Sequence, residues 1–204
     1  ALPALARLLG AADFRARAYA VGVIAHWHDR LERPLELLAR AARDEHPRVR
    51  LAAVVSAAYV PDPRAVEVAA SVLDRPNDKF ITYALTQAVH ALKPHWKKAF
   101  DEGRLTFEGR PERIEFVLRA DGSKDIQGSV QKLLAGPLSA ETRISLLALM
   151  ARVGGPKELA QVFEAATPRL LEELVTAARQ RQVIPAGDVT ARLGALIAQG
   201  EPAA

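Results

Sequence analysis

"DEHPRVRLAAVVSAAYVPDPRAVEVAASVLDRPND", residues 44–78, decides how this chain is read. It holds two alanine-rich apolar stretches, each with a proline near its start, separated by a short turn. Arg50 opens RLAAVVSAAYV, and thirteen residues later Pro63 opens PRAVEVAASVL. In the second stretch Val66, Ala69, Ala70 and Leu73 recur at helical spacing on one face, while Arg64, Glu67 and Ser71 lie elsewhere. Asp62 is placed to cap that helix, with Pro63 at the first helical position, where its missing N–H costs nothing. The stretch reads as two helices joined by a tight turn.

The unit recurs. Arg143 opens RISLLALMARV, and Pro156, thirteen residues on, opens PKELAQVFEAA. Arg17 opens RAYAVGVIAHW 33 residues before Arg50, Thr82 opens TYALTQAVHAL 32 residues after it, and the 93 residues from Arg50 to Arg143 fit about three such periods. Two helices per period of this length mark an α-solenoid. The predicted helices span 3–9, 13–27, 32–43, 47–59, 63–74, 78–91, 94–101, 111–119, 124–135, 139–152, 156–165, 168–180 and 188–198. Thr167 before Pro168 and Ser139 before its helix repeat the start signal. Gly10, Gly103, Gly136 and Gly154 fall where helices should end. Ala52, Ala53, Ala57 and Ala58 let neighbouring helices approach closely. No segment alternates with the period of a strand, so the expected fold is all-α: five or six antiparallel helix pairs in a right-handed stack. Residues 101–125, "DEGRLTFEGRPERIEFVLRADGSKD", break the rhythm and read as an irregular insertion. Repeats are expected at 1–100 and 126–204, stacked as one solenoid.

Composition agrees with close helix packing. Half of the 204 residues are hydrophobic but only 5% are aromatic, so the core must be built from Ala, Leu and Val. The net charge of +4 is spread along the chain, which implies a weak attraction to anions. With no cysteine there is no disulfide, thiolate metal site or thioether-linked haem within these residues. No apolar run approaches the roughly 20 residues of a membrane span. The start ALPALARLLG has neither an initiator Met nor a signal-peptide pattern, which suggests a segment of a longer or processed protein.

"HPRVRLAAV" followed by "DPRAVEVAASVLDRPND" resembles HEAT-type repeats, in which Asp, Pro, Val and Arg punctuate helix pairs. Residues 44–125, with "DKFITYALTQAVHALKPHW", "GRLTF" and "FVLRADGSKD", resemble the HEAT-like region of large planctomycete-type membrane-bound dehydrogenases. Those proteins join a sugar-dehydrogenase-like β-propeller, a HEAT-like segment and a c-type haem domain. The resemblance implies an exported, periplasmic spacer and docking arm whose redox chemistry belongs to neighbouring domains; without it, a cytoplasmic location is equally open. This chain has no C-x-x-C-H, so the resemblance implies no cofactor here, with any c-type haem held elsewhere in the parent.

No catalytic constellation stands out. His26 and His28 project about 200° apart on a helix, so both could ligate one metal only from an extended backbone, with His46 joining through tertiary contact. "KPHWKK", 93–98, sets His95 and Trp96 among lysines, which suits either stacking on a base or sugar or sealing a repeat. His90 reads as a packed or capping residue. Arg17, Arg50 and Arg143 occupy matching repeat positions, as a basic ladder or as partners for carboxylates and carbonyls of neighbouring repeats. Met150 lies among leucines and reads as core rather than as a haem ligand. Glu172 and Glu173 diverge on a helix, "ADGSKD" reads as turn and cap, and "VGGP" follows no strand and is no phosphate cradle.

Three functional readings follow. The first is a non-catalytic scaffold for protein–protein or interdomain contacts, using the concave face and the insertion. Its candidate surface is Arg17, Arg50, Trp96, Lys97, Lys98, Arg104, Phe107 and Arg143. The second is nucleic-acid binding by a basic concave face. The third has the segment touch a haem or quinone held by a neighbouring domain of an oxidoreductase. The expected partners are other domains of the same polypeptide or a separate protein, without insertion into a membrane.

Overall fold

The structure is a computed structural model that describes residues 2–122 and 125–200. Twelve α-helices lie among these residues, and no strand: α1 (Leu2–Leu9), α2 (Phe14–Trp27), α3 (Pro34–Ala42), α4 (Pro47–Ala57), α5 (Ala65–Ala70), α6 (Lys79–Asp101), α7 (Pro111–Ala120), α8 (Ile126–Leu134), α9 (Ala140–Val153), α10 (Pro156–Ala165), α11 (Pro168–Arg181) and α12 (Thr190–Gly200). Two 3-10 turns, Ser71–Asp74 and Phe107–Gly109, complete the set. The fold is all-α, of the solenoid class predicted from the repeat. Local capping explains several starts: Asp13 accepts from the Arg15 N–H, His46 from Arg48, Asp78 from Phe80 and Ile81, and Ser139 from Thr142.

Three predicted boundaries move, for identifiable reasons. Asp62 binds both the N–H and the guanidinium of Arg64, so it closes a turn and α5 starts only at Ala65. Pro94 was expected to open a new helix but sits inside α6, which runs unbroken for 23 residues. A proline leaves the carbonyl four residues before it without its donor. Here that residue is His90, which is exposed, as is Pro94, so water can serve the freed carbonyl. His90 is thus neither packed nor a cap. The helix predicted from residue 124 begins at Ile126, because Asp125 caps it through the Gly128 N–H; Lys124 itself lies outside the described residues.

The described chain divides into two compact units, residues 2–108 with 112–122, and residues 109–111 with 125–200. In the first unit α2, α4 and α6 form one layer, while α3 and α5 pack beneath them and α1 packs on α2. Phe14 stacks on His46 with ring centroids 3.6 Å apart, and Ser56 Oγ donates to the Val21 carbonyl, so α2 and α4 run parallel. Ala20, Ala53, Ala57, Ala65, Ala69 and Ala70 are all buried between helices, where any larger side chain would force them apart. Val21, Ile24, Leu38, Val54, Val66, Leu85 and Val89 fill the remaining core.

The predicted insertion is not a free loop. Leu105, Phe107, Ile114, Val117 and Leu118 are all buried, so most of 101–122 completes the core of the first unit and carries α7. In the second unit α9 is central, packing on α8, α10 and α11, and it is buried from Ser145 through Ala151. Leu159, Val162, Phe163, Leu170 and Leu174 close around it, and Met150 is part of this core.

Candidate functional site

The arginines at matching positions bind the turns between helices rather than forming a free basic ladder. Arg17 makes two hydrogen bonds to the Asp44 carboxylate, at 2.8 and 2.9 Å, and two more to the carbonyls of Ala11 and Ala12. Arg50, 5% exposed, binds the carbonyls of Asp44 and Glu45 in the turn before α4 and of Pro76 in the turn before α6. Arg143 does the same with the carbonyls of Leu134 and Gly136. In each case the residue four past the helix cap ties down interhelical turns, which explains its periodicity. Burial opposes charge on Asp44, but the bonds from Arg17 and the His46 N–H hold its carboxyl below the usual range.

Trp96 is fully buried, with its indole N–H donating 2.9 Å to the Val89 carbonyl. It meets Phe100 edge-on, and Phe100 in turn meets Phe107, also fully buried. Trp96, Phe107 and Arg50 are therefore structural, and a partner meeting the folded unit does not touch them. The remaining cations are half-buried (Lys97) or exposed (Lys98, Arg104) but engaged: Lys97 with Asp101, Lys98 at 3.9 Å from Glu102, and Arg104 at 2.6 Å from Glu102. The eight residues expected to form one surface are thus dispersed among core, turns and paired helix ends.

A charged lattice fastens residues 106–108 and Arg113 to α5 and the turn after it. Glu67 on α5 accepts the N–H groups of Thr106 and Phe107 at 2.7 and 2.6 Å. Arg113, whose side chain is 2% exposed, binds Asp74 through two nitrogens, at 2.6 and 3.1 Å, and Glu108 at 3.1 Å. Arg43 joins Glu108 from the end of α3. The lattice holds three successive left-handed residues, Phe107 (φ 49°), Glu108 (φ 51°) and Gly109 (φ 70°). For a side-chain-bearing residue that conformation costs roughly 1–2 kcal/mol, so the contacts must hold it in place.

Burial raises the Glu67 carboxyl above its ordinary value of 4.5, against the pull of the two N–H bonds. A raised carboxyl contributes fully below that ordinary value and loses its contribution as pH rises through the folded one. Asp44 and Glu108 are held low and act oppositely, losing their contribution as pH falls below about 4. Glu67→Gln keeps an acceptor without the charge. Urea melts of the two proteins should show the wild type losing stability relative to the variant between about pH 4.5 and pH 7; parallel profiles would contradict the assignment.

The opposite side of the first unit is open. All three tyrosines of the chain lie on the α2–α4–α6 layer or its margin and are exposed: Tyr19 75%, Tyr59 65% and Tyr83 68%. Phe80 (63%) and Val55 (46%) accompany them. Counted from the caps Asp13, His46 and Asp78, the second position holds Arg15, Arg48 and Phe80, the same exposed row on three helices. No carboxylate occurs in 14–27, 47–57 or 79–100, so this layer is basic as well as aromatic. Arg15 is taken up by Asp13, whereas Arg48 has no side-chain partner among the described residues and Lys79 lies 5.3 Å from the centre of the Phe80 ring. Sequence reasoning missed this face because it followed apolar stripes. The missed signal was three tyrosines out of phase with those stripes, on or just past segments without acids.

The remaining motifs are local. His46 caps α4 through Nδ1 and stacks on Phe14, and no group of three metal-ligating side chains forms among the described residues. "VGGP" caps α10, the Glu158 carboxylate accepting from the Gly155 N–H at 2.9 Å. Glu172 is exposed, the side chain of Glu173 lies outside the described residues, and so do Ser123 and Lys124 of "ADGSKD". No helix among the described residues is long and apolar enough to cross a membrane.

Residues 2–90 match the family model of HEAT repeats, a stretch that takes in α1 to α5 and the first half of α6. This part of the chain is a HEAT-like repeat region. No curated protein and no solved structure matches the chain.

Proposed function

We propose that the chain is a non-catalytic helical-repeat scaffold that meets a protein partner through the exposed layer of α2, α4 and α6. The observation that carries this reading is the segregation of aromatics in the first unit. Trp96, Phe100 and Phe107 are buried, while Tyr19, Tyr59, Phe80 and Tyr83 stand in solvent on or beside one acid-free layer. Exposed tyrosine of this density is the composition of an interface core rather than of ordinary surface. HEAT repeats are scaffolds of stacked helices that commonly mediate protein–protein contact, and this agrees with the match over 2–90.

A finer reading comes from the likeness of 44–125 to the HEAT-like region of propeller–haem dehydrogenases. In that reading the partners are other domains of a larger redox polypeptide, in the periplasm, with any haem or quinone held by those domains. The full gene tests it directly. A downstream C-x-x-C-H and an upstream propeller support the larger protein, and a stand-alone reading frame removes it.

The scaffold reading itself is tested by photo-crosslinking in the source cell. A crosslinking amino acid at Tyr19 or Tyr83 should yield a discrete protein adduct, while one at Arg119, exposed on α7, should not. Adducts to nucleic acid alone, or none from either tyrosine, would overturn it.

A further inference from the structure

We infer that the groove between α2 and α4 receives an acidic segment of the partner protein, with an apolar side chain seated over Gly22 and carboxylates toward Arg48. This rests on the scaffold reading above and names the partner's chemistry. The groove has a volume of about 460 Å³, and its lining is mostly apolar, with Ala18, Tyr19, Gly22, Leu51 and Val55 along it and Arg48 at the N-terminal end of α4.

Gly22 lies in the interior of α2, where glycine is the poorest helix former apart from proline. A Cβ added there would meet nothing within 4 Å, so packing inside the unit does not require glycine. An open floor flanked by Tyr19 and Val55 does suit an incoming side chain. Charge chooses the partner's sign. Neither α2 nor α4 carries a carboxylate, Arg48 has no side-chain partner among the described residues, and Arg15, which also lines the groove, is already bound to Asp13. The same facts favour a peptide over a nucleic acid. Phosphates would find few free cations, and stacked bases would leave an apolar trough unfilled.

The test is fluorescence anisotropy at low salt with a short labelled peptide bearing glutamates and leucines at helical spacing. Its lysine-for-glutamate counterpart, a single-stranded DNA and vesicles containing phosphatidylglycerol serve as rivals. The acidic peptide should bind and the basic one should not. Arg48→Glu should weaken binding by about tenfold or more, which equals about 1.4 kcal/mol. Gly22→Leu should weaken it similarly by filling the trough, while circular dichroism shows the helices intact. Absence of binding by the acidic peptide, equal binding of both peptides, indifference to both variants, or displacement of the peptide by DNA, vesicles or a second copy of the chain would overturn the inference. Should the acidic peptide fail while Tyr19 or Tyr83 still crosslinks to a protein, the inference falls and the scaffold reading stands.

Discussion

Trp96→Ala should lower the stability of the first unit by about 4 kcal/mol, the range for truncating a large buried aromatic side chain. The indole is wholly enclosed, makes a hydrogen bond to the Val89 carbonyl, and begins an edge-to-face chain through Phe100 to Phe107. Its removal empties a large volume in a core otherwise filled by Ala, Val and Leu, which are too short to collapse into it. It also removes the first ring of that chain, leaving Phe100 alone to join α6 to Phe107. The thermal midpoint should fall on the order of 15 °C. Trp96→Phe keeps most of the volume but loses the hydrogen bond, and should cost roughly 1–2 kcal/mol. Urea melts followed by circular dichroism measure both, and Trp27 remains as an independent fluorescent reporter. A loss below 1 kcal/mol for the alanine variant would mean that Trp96 does not hold the core as described.

Arg113→Met should destabilise by about 3 kcal/mol, because it leaves the charges of Asp74 and Glu108 offset only by the more exposed Arg43. Asp74 and Glu108 retain some contact with water, which keeps the loss at the lower end of the range for broken buried pairs. Methionine preserves the packed stem, so the measured change reports charge rather than volume. Arg113→Ala should cost more, by the added cavity. Loss of Arg113 should also release the strained loop, so the amides of Thr106 and Phe107, bound to Glu67, should exchange much faster with deuterium in either variant. Unchanged protection there would show that Glu67 alone secures the loop.

The helical character was legible because it is written locally. Proline at first positions, Ser and Asp caps, and apolar residues at helical spacing each act within a few residues, and nearly every predicted helix appears within two residues of its place. Where prediction failed, long-range contact decided. Pro94 reads as a helix start from its neighbours alone; it lies mid-helix because buried Trp96, Phe100 and Leu92 hold α6 together across it. Residues 101–125 read as an insertion because Gly and charge dominate them. The few apolar side chains, Leu105, Phe107, Ile114, Val117 and Leu118, are enough to bury the segment once α5 offers Glu67 and the turn after it offers Asp74.

By itself, then, the order of residues determined that this chain makes pairs of short helices, that they recur about every 33 residues, and that arginine marks three of the recurrences, at 17, 50 and 143. Periodicity and capping suffice for that, since hydrogen bonds and apolar stripes within one turn of helix are set by neighbours in the chain. Which side chains are buried and which stand exposed was settled only by tertiary structure. An arginine on a ladder and an arginine on a surface look alike in sequence, and so do a tryptophan that seals a core and one that binds. They differ only in what the next helix brings within a few ångströms: carbonyls for Arg50 and Arg143, a core for Trp96, and open water for Tyr19, Tyr59 and Tyr83.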